Sequence, residues 1–204
     1  MSASTQTPNG GSRLQLWLLL VVFFGPVILA GLLYANADRW LGHTGTGHHG
    51  QLFDPARPLQ GLPVQDQEGE RFGIDFLHGK WTLLYIGPAD CGDACRTDLY
   101  GIRQAHKAQG KNIGRVQRLF IARGGPVAAE TRSFLAEQHP HMRVARVAPG
   151  KTLDGFRGDG PSPSVGGLYL VDPNANLVLR YGTGASPDGI IEDLEALLKH
   201  STIG

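Results

Sequence analysis

The chain has 204 residues, a formal net charge of +1 and 18% charged residues. Because positive and negative side chains nearly balance, the composition predicts neither a nucleic-acid ligand nor a strongly acidic partner. The length is sufficient for one ordinary domain with additional segments.

An apolar run near the start of the chain, residues 14–34, predicts a transmembrane helix. It is long enough to cross a hydrocarbon core of about 30 Å. The positive-inside rule, applied to Arg13, favours a short cytoplasmic N-terminus (1–13) and an exported remainder. The expected location is the inner membrane of the cell, with the soluble domain in the periplasm. A cleaved signal peptide is the alternative, because Ala35-Asn36-Ala37 has the small-x-small pattern of a cleavage site.

Residues 35–58 are poor in apolar side chains and rich in glycine and histidine, which predicts a flexible linker. Its histidines, His43, His48 and His49, raise the question of a metal site. We interpret them as solvated linker residues, because a flexible segment lacks the outer shell of contacts that orients metal ligands.

The remainder, 59–204, has the alternating patterns of an α/β domain. The predicted elements are a hairpin over 59–76, strands over 81–86, 116–122 and 142–147, helices over 96–109 and 130–138, a closing hairpin of 168–172 and 177–181, and a final helix begun by Ser186 and Pro187. Strand–helix–strand units imply parallel pairing, and the closing hairpin adds antiparallel strands. The predicted architecture is a central mixed sheet flanked by helices.

The chain has two cysteines, Cys91 and Cys95, between strand 81–86 and helix 96–109. A helix N-terminus stabilises negative charge and lowers a thiol pKa there. A disulfide between them is geometrically feasible, and it would close a loop too short to stabilise the fold much. The spacing therefore favours a redox or metal-handling pair over a structural disulfide. Cys91 would be the nucleophile and Cys95 the resolving thiol, and we expect both to face the aqueous phase.

The side chains around the pair have less definite roles. Asp93 is expected to cap the helix. Arg96 could lower a thiol pKa or be an ordinary surface residue, and both interpretations remain open. Pro163 is interpreted as a turn residue. The remaining histidines are expected to be structural or solvated: His78, His106, His139 and His141.

The motif formed by residues 79–87 (GKWTLLYIG), Cys91-x-Asp93-x-Cys95 and Leu99 resembles the Sco/SenC family over about Leu59 to Leu198. The resemblance implies a membrane-tethered, thioredoxin-like fold. It also implies that the protein delivers copper to, or reduces the thiols of, the copper centre of cytochrome c oxidase. The implied partners are an oxidase subunit or another assembly factor.

The sequence departs from the copper-binding members of that family. Gly92 and Arg96 stand where those members have prolines, and Ser164 stands where they have the histidine ligand. Copper(I) prefers soft thiolates, so Cys91 and Cys95 remain its candidate ligands. The leading hypothesis is a thiol–disulfide redox protein of oxidase assembly; the alternatives are a Cu(I) chaperone and a non-catalytic assembly scaffold.

Overall fold

The computed structural model describes residues 11–35, 48–59, 61–157 and 166–201. It divides into two compact units, 1–47 and 48–204. In the first unit, helix α1 covers Gly11–Ala35 and includes the predicted helix over 14–34. Its segment Gln15–Leu32 has a mean hydropathy of 2.2 and is long and apolar enough to cross a membrane. A signal sequence can have the same length and apolar composition.

From Leu16 to Leu32, helix α1 has apolar side chains on all sides. Its large side chains are exposed within the unit, Phe23 for example by 74%. A helix satisfies its backbone hydrogen bonds internally, so it can present such a surface to lipid without exposing polar backbone groups. The surface of α1 therefore suits an apolar environment.

The described strands of the second unit form one seven-stranded sheet with the order β1-β7-β6-β3-β4-β5-β2. The strands are β1 Gln51–Pro58, β2 Val64–Gln65, β3 Trp81–Pro88, β4 Val116–Arg123, β5 Arg143–Val147, β6 Gly167–Val171 and β7 Asn176–Tyr181. The α-helices are α2 Asp93–Ala108, α3 Ala129–Gln138 and α4 Pro187–His200, and short 3₁₀ helices cover Ile74–Leu77, Gly110–Arg115 and Asp154–Phe156.

Strand β3 lies at the centre of the sheet. It pairs in parallel with β4, which pairs in parallel with β5. On its other side β3 pairs antiparallel with β6, and β6 with β7. This arrangement confirms the predicted mixed sheet flanked by helices.

The two faces of β3 belong to two hydrophobic cores. Leu83 and Tyr85 pack in the core that holds the buried side chains of α2, α3 and α4. Leu84 and Ile86 pack in the opposite core, formed largely by residues 53–77 and the segment before β6. Because successive strand residues point to opposite faces, a strand covered on both faces is apolar throughout. This explains the near-continuous apolar run at 81–86, which only Thr82 interrupts.

Two predictions about the N-terminal part of the domain fail, the first entirely and the second in part. Residues 51–58, expected in the linker, form β1 at the edge of the sheet and pair with β7. The hairpin expected over 59–76 is reduced to the two-residue β2, which pairs with β5 instead, and a single bridge between Gln65 and Arg71. Both errors concern pairing with strands distant in sequence, which local composition does not reveal.

Candidate functional site

The two cysteines lie where β3 ends and α2 begins, and they form a disulfide. Cys91 is in the connecting turn, and Cys95 is the third residue of α2. Their Cα atoms are 5.2 Å apart, within the usual range for a disulfide. The helix begins at Asp93, three residues earlier than predicted, so Cys95 lies inside its first turn. The pair therefore stands at the carboxyl end of the central strand, as expected.

The disulfide is buried. Cys91 is 0% exposed and Cys95 is 4% exposed, so the expectation of a pair facing the aqueous phase is wrong for the oxidised protein. Both side chains belong to the core between the sheet and the helices, where an apolar disulfide packs favourably. Asp90 and Gly92, on either side of Cys91 in the sequence, are both exposed.

The wall behind the disulfide requires a residue without a side chain. A Cβ on Gly87 would lie 2.7 Å from Tyr85 Cε1, 3.2 Å from Phe120 Cε2 and 3.3 Å from Cys95 Sγ. The aromatic rings of Tyr85 and Phe120 stack with their centroids 6.2 Å apart. Glycine at position 87 thus lets these rings and the sulfur close around the end of β3.

The electrostatic surroundings come mainly from α2. Its N-cap is Gly92, and no side chain caps it, so the prediction that Asp93 caps the helix is wrong. Asp93 is an exposed residue of the first turn, where a carboxylate interacts favourably with the helix dipole. The free N–H groups at this end would also stabilise a thiolate on Cys91 after reduction.

Arg96 connects the cysteine turn to α3. Its Nε donates to the carbonyl oxygen of Cys91 at 3.1 Å. Its Nη2 is 2.6 Å from Glu130 Oε1, and its guanidinium lies 5.0 Å from the centroid of the Phe134 ring. Arg96 is therefore not an ordinary surface residue: it holds the backbone of the turn and places a positive charge beside Cys91.

Asp98, which sequence reasoning did not single out, fixes the other side of α2. Its Oδ2 accepts from the Tyr85 hydroxyl at 2.9 Å, and its Oδ1 accepts from Gly184 N at 2.8 Å. Burial and the Asp98 carboxylate raise the pKa of Tyr85, so its hydroxyl stays protonated and donates. Nothing in the local sequence marks Asp98, because both partners come from other elements.

The histidines that the structure describes do not assemble with the cysteines. His48 and His49, assigned to the linker, instead lie beside α4, with His48 Nδ1 3.7 Å from Asp193 Oδ1 and His49 Nε2 2.8 Å from Glu192 Oε2. His106 Nε2 is bonded to the Val116 carbonyl oxygen. Within the described ranges there is no group of three His, Cys, Asp or Glu side chains that could hold a metal.

Five residues named from the sequence lie outside the described residues: Asn36 and Ala37 of the small-x-small pattern, His43, Pro163 and Ser164.

Residues 81–201 match a family model described as "Transmembrane-like, thioredoxin-like, C-terminal domain". The chain belongs to this family. The family's thioredoxin-like fold is the one predicted from the Sco/SenC resemblance. No curated protein matches the sequence.

Sco proteins are among the structural neighbours, in agreement with the resemblance seen in the sequence. Apo Sco1 from Thermus thermophilus is 22% identical, with a TM-score of 0.56 over 76% of this chain and 99% of that one. Arabidopsis thaliana ScoI with copper bound is 21% identical, with a TM-score of 0.54 over 74% and 99%. A putative thioredoxin from Neisseria meningitidis is 16% identical, with a TM-score of 0.50 over 75% and 91%. At these identities the likeness shows the fold.

Proposed function

We propose that this protein is a membrane-anchored thiol–disulfide redox protein that acts in the assembly of a respiratory copper oxidase. The observation that carries the proposal is the disulfide between Cys91 and Cys95 at the junction of the central strand and α2. In this proposal 1–13 is cytoplasmic, 14–34 is the anchor, and the thioredoxin-like domain is periplasmic. The resemblance to Sco proteins supports the assignment to oxidase assembly.

The reaction transfers two electrons to a partner disulfide. In the reduced protein the Cys91 thiolate attacks one partner sulfur, which forms a mixed disulfide and releases the other partner sulfur as a thiolate. Cys95, as thiolate, then attacks the Cys91 sulfur. This restores the Cys91–Cys95 disulfide and frees the reduced partner, which takes up the two protons that the thiols gave up. An oxidase subunit or another assembly factor is the proposed partner.

Because Cys91 is buried, the proposal requires the cysteine turn to open before a partner can react. Two hydrogen bonds hold Cys91 itself: its N donates to the Pro88 carbonyl oxygen at 3.2 Å, and Arg96 Nε donates to its carbonyl oxygen. Ala89 is held by neighbouring elements, because its N donates to the Arg123 carbonyl oxygen and its carbonyl oxygen accepts from Ala128 N, each at 3.0 Å. Pro88, Asp90 and Gly92 are all exposed. In this proposal a local movement of residues 90–92, beyond the end of β3, breaks the two hydrogen bonds of Cys91 and uncovers its sulfur while the sheet stays paired.

Trapping variants test the redox role. The Cys95→Ser variant keeps the nucleophile without the resolving thiol, so it should accumulate mixed disulfides with partners in cell membranes. The matched control is Cys91→Ser, whose remaining thiol sits inside the first turn of α2 and should trap far less. If neither variant is linked to any protein, and the pair is found oxidised under all growth conditions, the redox assignment is wrong.

The reduction potential gives a second, independent test on the purified full chain. Structural disulfides typically have potentials below about −300 mV, whereas cycling pairs have higher ones. We expect a value above about −300 mV, measured by equilibration with glutathione or dithiothreitol buffers. A value well below that limit would make the bridge a structural one.

Copper carriage is the second candidate function, favoured by the copper bound in the Arabidopsis neighbour and by the softness of a thiolate pair. Here copper is the cargo, with Cys91 and Cys95 as its ligands. The reduced full chain should take up one Cu(I), and the variant with both cysteines changed to serine should take up none. Equal uptake by the two proteins would remove this function. Full oxidase assembly with the double variant would instead favour a non-catalytic scaffold.

A further inference from the structure

A second cluster of charged side chains lies at the opposite end of the central strands from the disulfide. Lys80 directly precedes β3, Arg118 is the third residue of β4, and Arg143 is the first residue of β5. The three strands are parallel, so their amino ends lie side by side. Since β3 has eight residues and a strand rises about 3.3 Å per residue, the cluster is separate from the cysteine site.

These side chains line one cavity of about 300 Å³. Five of its ten lining residues are basic: Lys80, His106, Arg118, His141 and Arg143. Among the described residues that line it, none is Asp or Glu. The protein as a whole is nearly neutral, so a cavity lined by one sign of charge is a local feature of this end of the sheet.

Arg118 forms the buried part of the cavity. It is 6% exposed, and its Nη2 donates to the Pro140 carbonyl oxygen at 2.7 Å. Its Nη1 is buried without a hydrogen-bond partner among the described residues. A buried cation without a counter-ion is costly. In agreement with this cost, burial and the charge of Arg103 lower the pKa of Arg118.

The other basic residues are placed differently. Lys80 and Arg143 are exposed, and the Arg143 guanidinium lies over the rings of Phe72 and Phe76, at 5.7 and 5.3 Å from their centroids. The Nε2 atom of His106 is already bonded to the backbone. The cavity is thus lined by the buried guanidinium of Arg118, which has an unpaired N–H group among the described residues, and by two exposed cationic side chains, Lys80 and Arg143.

We propose that this cavity binds a phosphate group. A guanidinium presents several N–H donors that match phosphate oxygens, and charge-assisted hydrogen bonds to Arg118 and Lys80 would neutralise a dianion. Bound phosphate would also give Arg118 Nη1 the acceptor that it lacks. The phosphate could come from two sources, free phosphate in solution or the headgroup of a phospholipid.

The first test uses the full chain in a maltoside detergent, which carries no phosphate, and inorganic phosphate as the probe. Calorimetric titration at constant ionic strength, with chloride as the balancing anion, should show saturable binding. Lys80→Gln and Arg143→Gln, both at exposed positions, should each weaken binding about tenfold, and the double variant should not bind measurably. Lys151→Gln makes the same charge change at an exposed position outside the cavity and should bind like the wild type.

The second test distinguishes the sources of phosphate. The full chain is placed in nanodiscs of phosphatidylcholine, or of phosphatidylcholine with phosphatidylglycerol, and inorganic phosphate is titrated again. If phosphatidylglycerol abolishes phosphate binding in the wild type, an anionic headgroup occupies the cavity; if binding is equal in both discs, free phosphate is the ligand. Either result supports the site. Absence of saturable binding in detergent, or equal affinities of the wild type and the Lys80/Arg143 double variant, would overturn it.

Discussion

Replacing Asp193 should strongly destabilise the domain. This residue of α4 is 1% exposed and holds the segment that leads into β1. Its carboxylate accepts from His49 N at 2.9 Å, from Gly50 N at 2.9 Å and from the Tyr181 hydroxyl at 2.8 Å. Burial and the Asp193 carboxylate raise the pKa of Tyr181, so this hydroxyl remains a donor.

The magnitude follows from the donors left without an acceptor. Asp193→Ala leaves three donors without an acceptor. Each buried, unpaired donor lowers the free energy of unfolding by about 1–3 kcal/mol. Partial access of water to the segment reduces the sum, so we expect a loss of about 4 kcal/mol in the free energy of unfolding. Asp193→Asn keeps the shape and one oxygen but turns an N–H₂ group toward a donor, and should cost about 2 kcal/mol.

Urea unfolding of the full chain in detergent, followed by circular dichroism, measures these losses. The matched control is Glu192→Gln, because Glu192 lies next to Asp193 and bonds His49 on the surface, with its side chain 68% exposed. That variant should change the free energy of unfolding by less than about 0.5 kcal/mol. If the free energies of unfolding of Asp193→Ala and Glu192→Gln differ by less than about 1 kcal/mol, the Asp193 carboxylate does not hold the segment before β1.

Three further predictions concern stability. Burial and two nearby arginines lower the pKa of His139 to about 4, so the folded protein excludes a proton that the unfolded chain takes up below about pH 6.5. Stability should fall by on the order of 3 kcal/mol between about pH 6.5 and 4, and His139→Gln should flatten this dependence in urea titrations at each pH. Gly87→Ala should lower the free energy of unfolding by about 1–3 kcal/mol, because the added methyl group overpacks the site. Gly182→Ala is the control: its Cβ would lie in open space, so its melting temperature should be close to that of the wild type. Asp98→Ala should cost about 2 kcal/mol by leaving the Tyr85 hydroxyl and Gly184 N without their acceptor, and an unchanged melting temperature would contradict this.

Local sequence patterns determined the features that depend on neighbouring residues. The sequence predicted a strand at 81–86, and the hydrophobic length of 14–34 predicted a transmembrane helix. The position of Cys91 and Cys95 between a strand and a helix followed from the same patterns. These features can be predicted because hydrophobic periodicity and secondary-structure propensity depend on residues close together in the sequence.

Tertiary structure alone decided the features that join distant segments. The burial of the disulfide depends on how the first turn of α2 packs against Gly87, and the sequence expectation of an exposed pair was wrong for that reason. The pairing of β1 with β7 spans more than a hundred positions, as does the contact of His49 with Asp193. The basic cavity arises where three strand ends meet. Such contacts depend on which surfaces of distant segments are complementary. A local sequence pattern does not specify the distant segment with which it will pack.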